Sequence, residues 1–177
     1  MNRILRNALG ALRLDKRTYD RLFFDDYATA DAVLIVVAVS ALRLLTAIVL
    51  GNLAVLGLIQ GLIQITINEL IRWMVAALIM WVVSTKLLGG IGRIPATVGL
   101  VGYAYLPFVF VPIVELALGL AGLSTFSFLA EVGASIWLGL GLMIVGTGLF
   151  SLPRDRAVIA SVLSVMGWWL VTALLGF

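Results

Sequence analysis

Apolar residues run through this chain in blocks that are long and nearly unbroken. They cover about residues 28–51, 65–88, 95–119, 129–150 and 156–176. Each block has about the 20 residues an α-helix needs to cross a bilayer. Asp25, Asp26 and Asp31 stand before or just inside the first block, where a helix N-terminus favours carboxylates. Pro95 opens the third at an early helical position. Residues 44–67 are also continuously apolar, so a six-span reading exists. It would leave residues 28–42 as a first span of only 15 residues and would put Lys86 and Arg93 across the membrane from the N-terminus. Both consequences count against it. Residues 52–64 are therefore read as a long helix end or an outer-surface segment. The pattern predicts an all-α polytopic membrane helix bundle with five transmembrane helices.

Ahead of the first block, residues 2–17 read as an amphipathic helix. At roughly 100° per residue, Arg3, Arg6, Arg13 and Arg17 share one arc of about 80°. Ile4, Leu5, Ala8, Leu9, Ala11 and Leu12 share the opposite one, and Leu14 and Lys16 break the pattern. Such a helix suits the membrane plane, with its arginines facing lipid phosphates. The alternative is a cytosolic face packed on the bundle's own loops. The division this predicts is a cytosolic amphipathic N-terminal segment over residues 1–27 and a membrane domain over 28–177.

The charges add an orientation. Ten of the twelve Lys and Arg residues fall in three places: the N-terminal segment (Arg3, Arg6, Arg13, Lys16, Arg17, Arg21), one connection (Lys86, Arg93) and another (Arg154, Arg156). The connections near residues 51–64 and 119–130 carry no charge. Short loops rich in Lys and Arg stay cytoplasmic, which predicts a cytoplasmic N-terminus and an outside C-terminus. Of the 177 residues, 63% are hydrophobic and 12% charged, against about a quarter charged for a soluble domain. The net charge of +3 sits beside apolar spans, so it points to an anionic inner leaflet rather than to nucleic acid. The chain has no Cys and no His, which removes disulfides, thiolate chemistry and the usual metal and haem ligands. No metal site, no cofactor and no enzymatic activity is expected.

The middle of the chain carries a more specific pattern. Lys86-Leu-Leu-Gly-Gly-Ile-Gly-Arg-Ile-Pro-Ala-Thr, followed by Val101-Gly-Tyr-Ala-Tyr-Leu-Pro, resembles the Yip family, five-span membrane proteins first described as interactors of Rab-type GTPases. The matching residues are Gly89 and Gly90 after the second span and Gly102, Tyr103, Ala104 and Pro107 inside the third. Arg156-Ala157 and the segment from Thr18 to Asp26 also resemble the family, bacterial and archaeal members most closely. The Asp-Leu-Tyr-Gly-Pro element of eukaryotic members does not occur here. The resemblance implies the five-span fold in a prokaryotic plasma membrane. It also implies an organising or adaptor role exercised through cytosolic loops and the basic helix.

Five charged residues lie inside the apolar blocks: Arg43, Glu69, Arg72, Glu115 and Glu131. A charge at membrane depth costs about 2.5–3.5 kcal/mol on insertion scales and is usually paired or turned to a polar cavity. At a rise of about 1.5 Å per residue, Arg43 lies about 5 Å above the midplane, Arg72 about 6, Glu69 and Glu115 about 10 and Glu131 about 13, all in the outer half. The expected pairs are Arg43 with Glu115, and Arg72 with Glu69 or Glu131, with Gln64 and Asn68 nearby. The cluster reads either as a lock holding four helices in register or as a pocket for an ion, headgroup or small solute. The second reading makes the chain a small transporter or channel.

Pro107 and Pro112 predict a kink in the third span, with Tyr103 and Tyr105 beside it, as a broken helix lining a site or as a fixed bend. Ser135, Gly139, Gly141, Gly146 and Gly148 allow close helix contact in the fourth span, internally or with a partner chain. Gly89-Gly90-Ile-Gly92 reads as a turn and not a phosphate loop, since no Gly-Lys-Ser/Thr follows. Trp168 and Trp169 lie too deep for an interface and are expected to pack. The partners this allows are membrane lipids, a membrane or cytosolic protein in a larger complex, or a second copy of the chain.

Overall fold

The structure is a computed structural model that describes residues 3–51 and 57–174. Expectations that fall on residue 2, residues 52–56 and residues 175–176 lie outside it. Two short helices, α1 (Arg3–Leu12) and α2 (Lys16–Phe23), precede the long ones. Then come α3 (Ala28–Val49) and α4 (Leu58–Val82), the latter closing in a π turn over Val83–Leu87. The third block is α5 (Ile94–Ala104), a 3-10 turn over Leu106–Val109, and α6 (Phe110–Leu120). α7 (Phe128–Gly148) and α8 (Arg154–Leu174) follow.

Among the described residues, four helical stretches are long and apolar enough to cross a membrane: Ala28–Val49, Ile59–Leu87, Ser124–Gly148 and Arg154–Leu174. The α5–α6 pair would make a fifth, bent by 41°. α3 runs unbroken through residues 42–44, so the division needed for a six-span reading is absent. α4 begins at Leu58, which makes residues 58–64 the long helix end expected of them.

Polarity alone does not tell inside from outside in these helices, and small residues make up much of their buried faces. α3 buries Ala28, Ala32, Val36 and Ser40 and exposes Leu34, Val37, Leu45 and Val49. α8 buries Ala157, Ala160, Ser164 and Gly167 and exposes Ile159, Val162, Met166 and Leu170. Small residues on facing helices let the backbones approach closely. A Cβ built on Gly146 would stand 2.8 Å from the Ala157 Cβ, and one on Gly141 would stand 2.9 Å from the Ala104 Cβ. Gly139 and Gly148 are less tightly constrained, and nothing lies within 4 Å at Gly133. The glycines of α7 thus serve contacts with α5 and α8.

The chain's basic connections meet at one end, here the basic end. Gly89 turns the chain at φ +76°, a conformation a side chain would strain. Gly90 N–H donates to the Ser84 carbonyl at 2.8 Å, and Arg156 Nη1 donates to the Leu88 carbonyl at 3.1 Å. The C-terminal end of α3 and the uncharged connection after α6 lie at the far end.

The N-terminal segment departs from expectation. Residues 2–17 are not one helix: α1 stops at Leu12 and Leu14 takes φ +55°. Asp15 then caps a second helix, accepting from Arg17 N–H at 3.2 Å and Thr18 Oγ1 at 2.8 Å. The Thr18 hydroxyl holds the Asp15 carboxyl below its usual value. The wheel failed at Leu14 and Lys16 because the chain turns there. α1 and α2 also share the bundle's core through Ala11, Tyr19 and Leu22.

Candidate functional site

The five charges of the apolar blocks come together, with Arg43 at their centre. From α3, its Nη2 donates to Glu131 at the start of α7 at 2.8 Å. Its Nε lies 3.0 Å from Glu69 on α4, off the line of a hydrogen bond. Its Nη1 lies 3.9 Å from Glu115 on α6. One guanidinium therefore ties three helices to its own, which its several donors in a planar fork make feasible. Glu69 also accepts from Arg72 Nη1 at 3.1 Å, one turn away on the same helix. The expected Arg72–Glu69 pair is present. Arg43–Glu115, expected as a principal pair, is the longest contact, and Glu131 is held by Arg43. Single pairings drawn from depth alone missed a guanidinium that serves several acids.

The bend in the third block supplies a further part. Tyr105 sits at the break and its hydroxyl donates to Glu69. Trp168 Nε1 donates to the Tyr105 hydroxyl at 3.4 Å, and the Phe108 ring stacks on Tyr105 at 4.4 Å. The Arg72 guanidinium lies 5.5 Å above the Trp168 ring, a cation–π arrangement. Tyr103, two residues earlier, donates instead to Asp31 at 2.8 Å. Pro107 lies in the 3-10 turn and Pro112 in α6, where the Pro112 carbonyl accepts from Thr46 Oγ1 at 3.0 Å. Gly102 faces Ala32 and Trp73, where any Cβ would collide.

Asp31 is the residue whose role the sequence concealed. It reads as a helix-start carboxylate, yet it is buried and accepts both from Tyr103 and from Arg3 Nη2 at 3.0 Å. Arg3 Nη1 bonds Asp25 at 2.9 Å, and its guanidinium lies 4.9 Å from the Tyr27 ring centre. Arg3 therefore does not face lipid as its place on the wheel suggested: two carboxylates hold it against the bundle. Arg6, Arg13 and Arg17 are exposed. The one available signal was Asp31 itself, a carboxylate on the fourth residue of an apolar helix.

A cavity of about 480 Å³ lies beside the cluster, walled by Arg43, Glu69, Arg72, Glu115, Gln64 and Asn68. Leu50, Gly61 and Ser124, at the ends of their elements, carry it to the far end of the bundle. With all groups ionised, two arginines and three glutamates give the cluster a net charge of −1. Arg72 and Glu69 are each 2% exposed in their side chains, whereas Glu115 and Glu131 are 24% and 19% exposed. Trp168 is buried, as expected of a deep tryptophan, whereas Trp169 is 37% exposed on the outer surface of α8.

No protein-family model, no curated protein and no solved structure matches this chain. Among the described residues, no group of three or more His, Cys, Asp or Glu is placed to hold a metal ion.

Proposed function

We propose that this chain is a non-enzymatic, five-span integral membrane protein of the Yip type that organises the membrane at its cytoplasmic face through the basic α1–α2 hairpin. The observation that carries this reading is the exposed surface of that hairpin. It presents Arg6, Arg13, Lys16 and Arg17 beside Leu5 and Leu9, which are 57% and 46% exposed. Phe24 and Tyr27, 77% and 65% exposed, stand next to it at the basic end. Basic side chains beside exposed aromatics suit the headgroup layer of an anionic leaflet, at about 1 kcal/mol per basic residue. The short Lys- and Arg-bearing connections at the same end support a cytoplasmic N-terminus. The Gly89-Gly90 turn and the Gly102-Tyr103 element at the bend support the Yip resemblance.

The test is lipid retention. The full chain, extracted in mild detergent, is expected to keep phosphatidylglycerol in preference to phosphatidylcholine by native mass spectrometry. Replacing Arg6, Arg13 and Arg17 together by Gln is expected to remove most of that preference. Equal retention by parent and variant refutes the reading.

A second reading is favoured by a separate observation, the charge-lined cavity open toward the far end. It makes the chain a binder or carrier of a small polar solute. Reconstituted protein would then move its solute across liposomes, and Glu115→Gln would alter that flux. No flux in the parent for cations, amines or amino acids refutes it.

A further inference from the structure

We infer that the far-end cavity binds a protonated amine, with Glu115 as its counter-charge; this rests on the second reading above, that the cavity receives a ligand. The argument starts from the distribution of pairs. Glu69 accepts from Arg72 and Tyr105 and has Arg43 Nε at 3.0 Å as an ion-pair partner. Glu131 has a 2.8 Å bond to Arg43 and takes no part in the cavity wall. Glu115 does line the cavity, and its nearest cation is Arg43 Nη1 at 3.9 Å, too long for a hydrogen bond. Of the two cavity-lining carboxylates, Glu69 is bonded to donors and Glu115 has no bonded donor among the described residues. A carboxylate at this depth with no bonded donor is unfavourable, and a cation arriving beside it relieves that.

The class of cation follows from the wall. Ca²⁺ needs six to eight oxygens and Mg²⁺ a near-octahedral shell. Here guanidiniums separate the carboxylates, and no three acids converge on a metal position among the described residues. A primary ammonium asks for less: three acceptors around one compact charge. Glu115 supplies the charged one. Gln64 and Ser127 line the same space and can complete the set with neutral oxygens. A volume of about 480 Å³ also holds the carbon chain or ester that an amine carries, which a bare ion would leave empty.

A free amine from the aqueous side and the ethanolamine headgroup of a phospholipid share this chemistry, and one experiment separates them. The chain has no cysteine, so Asn68→Cys introduces a single thiol. Asn68 is only 9% exposed and lines the cavity, so a water-soluble maleimide can reach it only through that space. In nanodiscs of phosphatidylcholine and phosphatidylglycerol the thiol is expected to react, and ethylammonium is expected to slow the reaction at least tenfold. Tetramethylammonium, which has no N–H donor, is expected not to. Adding Glu115→Gln removes the protection while leaving the labelling. If discs containing phosphatidylethanolamine protect without added amine, the occupant is the headgroup; if they do not, it is the free amine. Labelling without protection by either source overturns the amine assignment and leaves the cavity standing. No labelling at Asn68→Cys or at Gln64→Cys overturns the cavity reading and the assignment with it.

Discussion

Glu69 shows how much of this bundle depends on a single acid. It holds a guanidinium from α3, a second from its own helix and a phenol from the bend after α5. Glu69→Ala leaves those donors buried without their acceptor, and breaking a buried pair costs about 3–5 kcal/mol. Thermal unfolding in detergent is expected to show a loss of that order, and a loss below about 1 kcal/mol would contradict the cluster as described. Tyr19 presents the opposite case. Its hydroxyl is buried with no hydrogen-bond partner, which costs about 1–3 kcal/mol, so Tyr19→Phe is expected to raise stability. Burial also pushes the Tyr19 phenol well above its ordinary value near 10. Because the folded state favours the neutral form, its contribution is full below the ordinary phenol pKa and is lost as pH rises beyond it. Alkaline titration of α1–α2 docking is expected to show this loss in the parent and less of it in Tyr19→Phe.

At the level of elements, the contact of α7 with α8 depends on missing side chains. The Gly146 Cβ position stands 2.8 Å from the Ala157 Cβ and 3.1 Å from its Cα, so neither helix can yield by a rotamer change alone. Gly146→Val is expected to destabilise by about 1–3 kcal/mol through overpacking. Gly133→Ala, with nothing within 4 Å, is expected to be close to neutral in the same assay. Equal effects would show that the α7 glycines matter for helix propensity rather than for contact. The small residues of α7 were legible in the sequence, since their spacing announces close approach. Which helix would approach was not, because α3, α5 and α8 carry small residues too. The broken third block was likewise legible from Pro107 and Pro112. That the break aims Tyr105 at Glu69 and Tyr103 at Asp31 depends on how α5 is rotated against α3 and α4.

At the scale of the whole molecule, Arg3 joins the first helix to the bundle of long helices. It bridges Asp25 and Asp31, and Asp31 in turn carries Tyr103 at the bend. Arg3→Ala is expected to loosen the hairpin and leave the long helices in place. Trypsin cleavage at Arg13, Lys16 and Arg17 should then accelerate several-fold, while the helical signal and the thermal transition of the bundle change little. An unchanged cleavage rate would mean that Ala11, Tyr19 and Leu22 hold the hairpin without the ionic bridge.

Composition and the length of the apolar blocks by themselves determined that the described residues are all-helical, with helices long and apolar enough to cross a bilayer. Both follow from the backbone's need to satisfy its own hydrogen bonds in lipid, which any sufficiently long apolar run must meet locally. The residues of the charge cluster were also visible, because a charge in an apolar block stands out. Tertiary structure alone decided that Arg43 is their hub, that Arg3 turns inward, and that Glu115 is the acid left facing a cavity. Those outcomes depend on the azimuth of each helix about its axis, and in lipid that angle is set by the fit of small against large side chains between helices, which no single helix specifies.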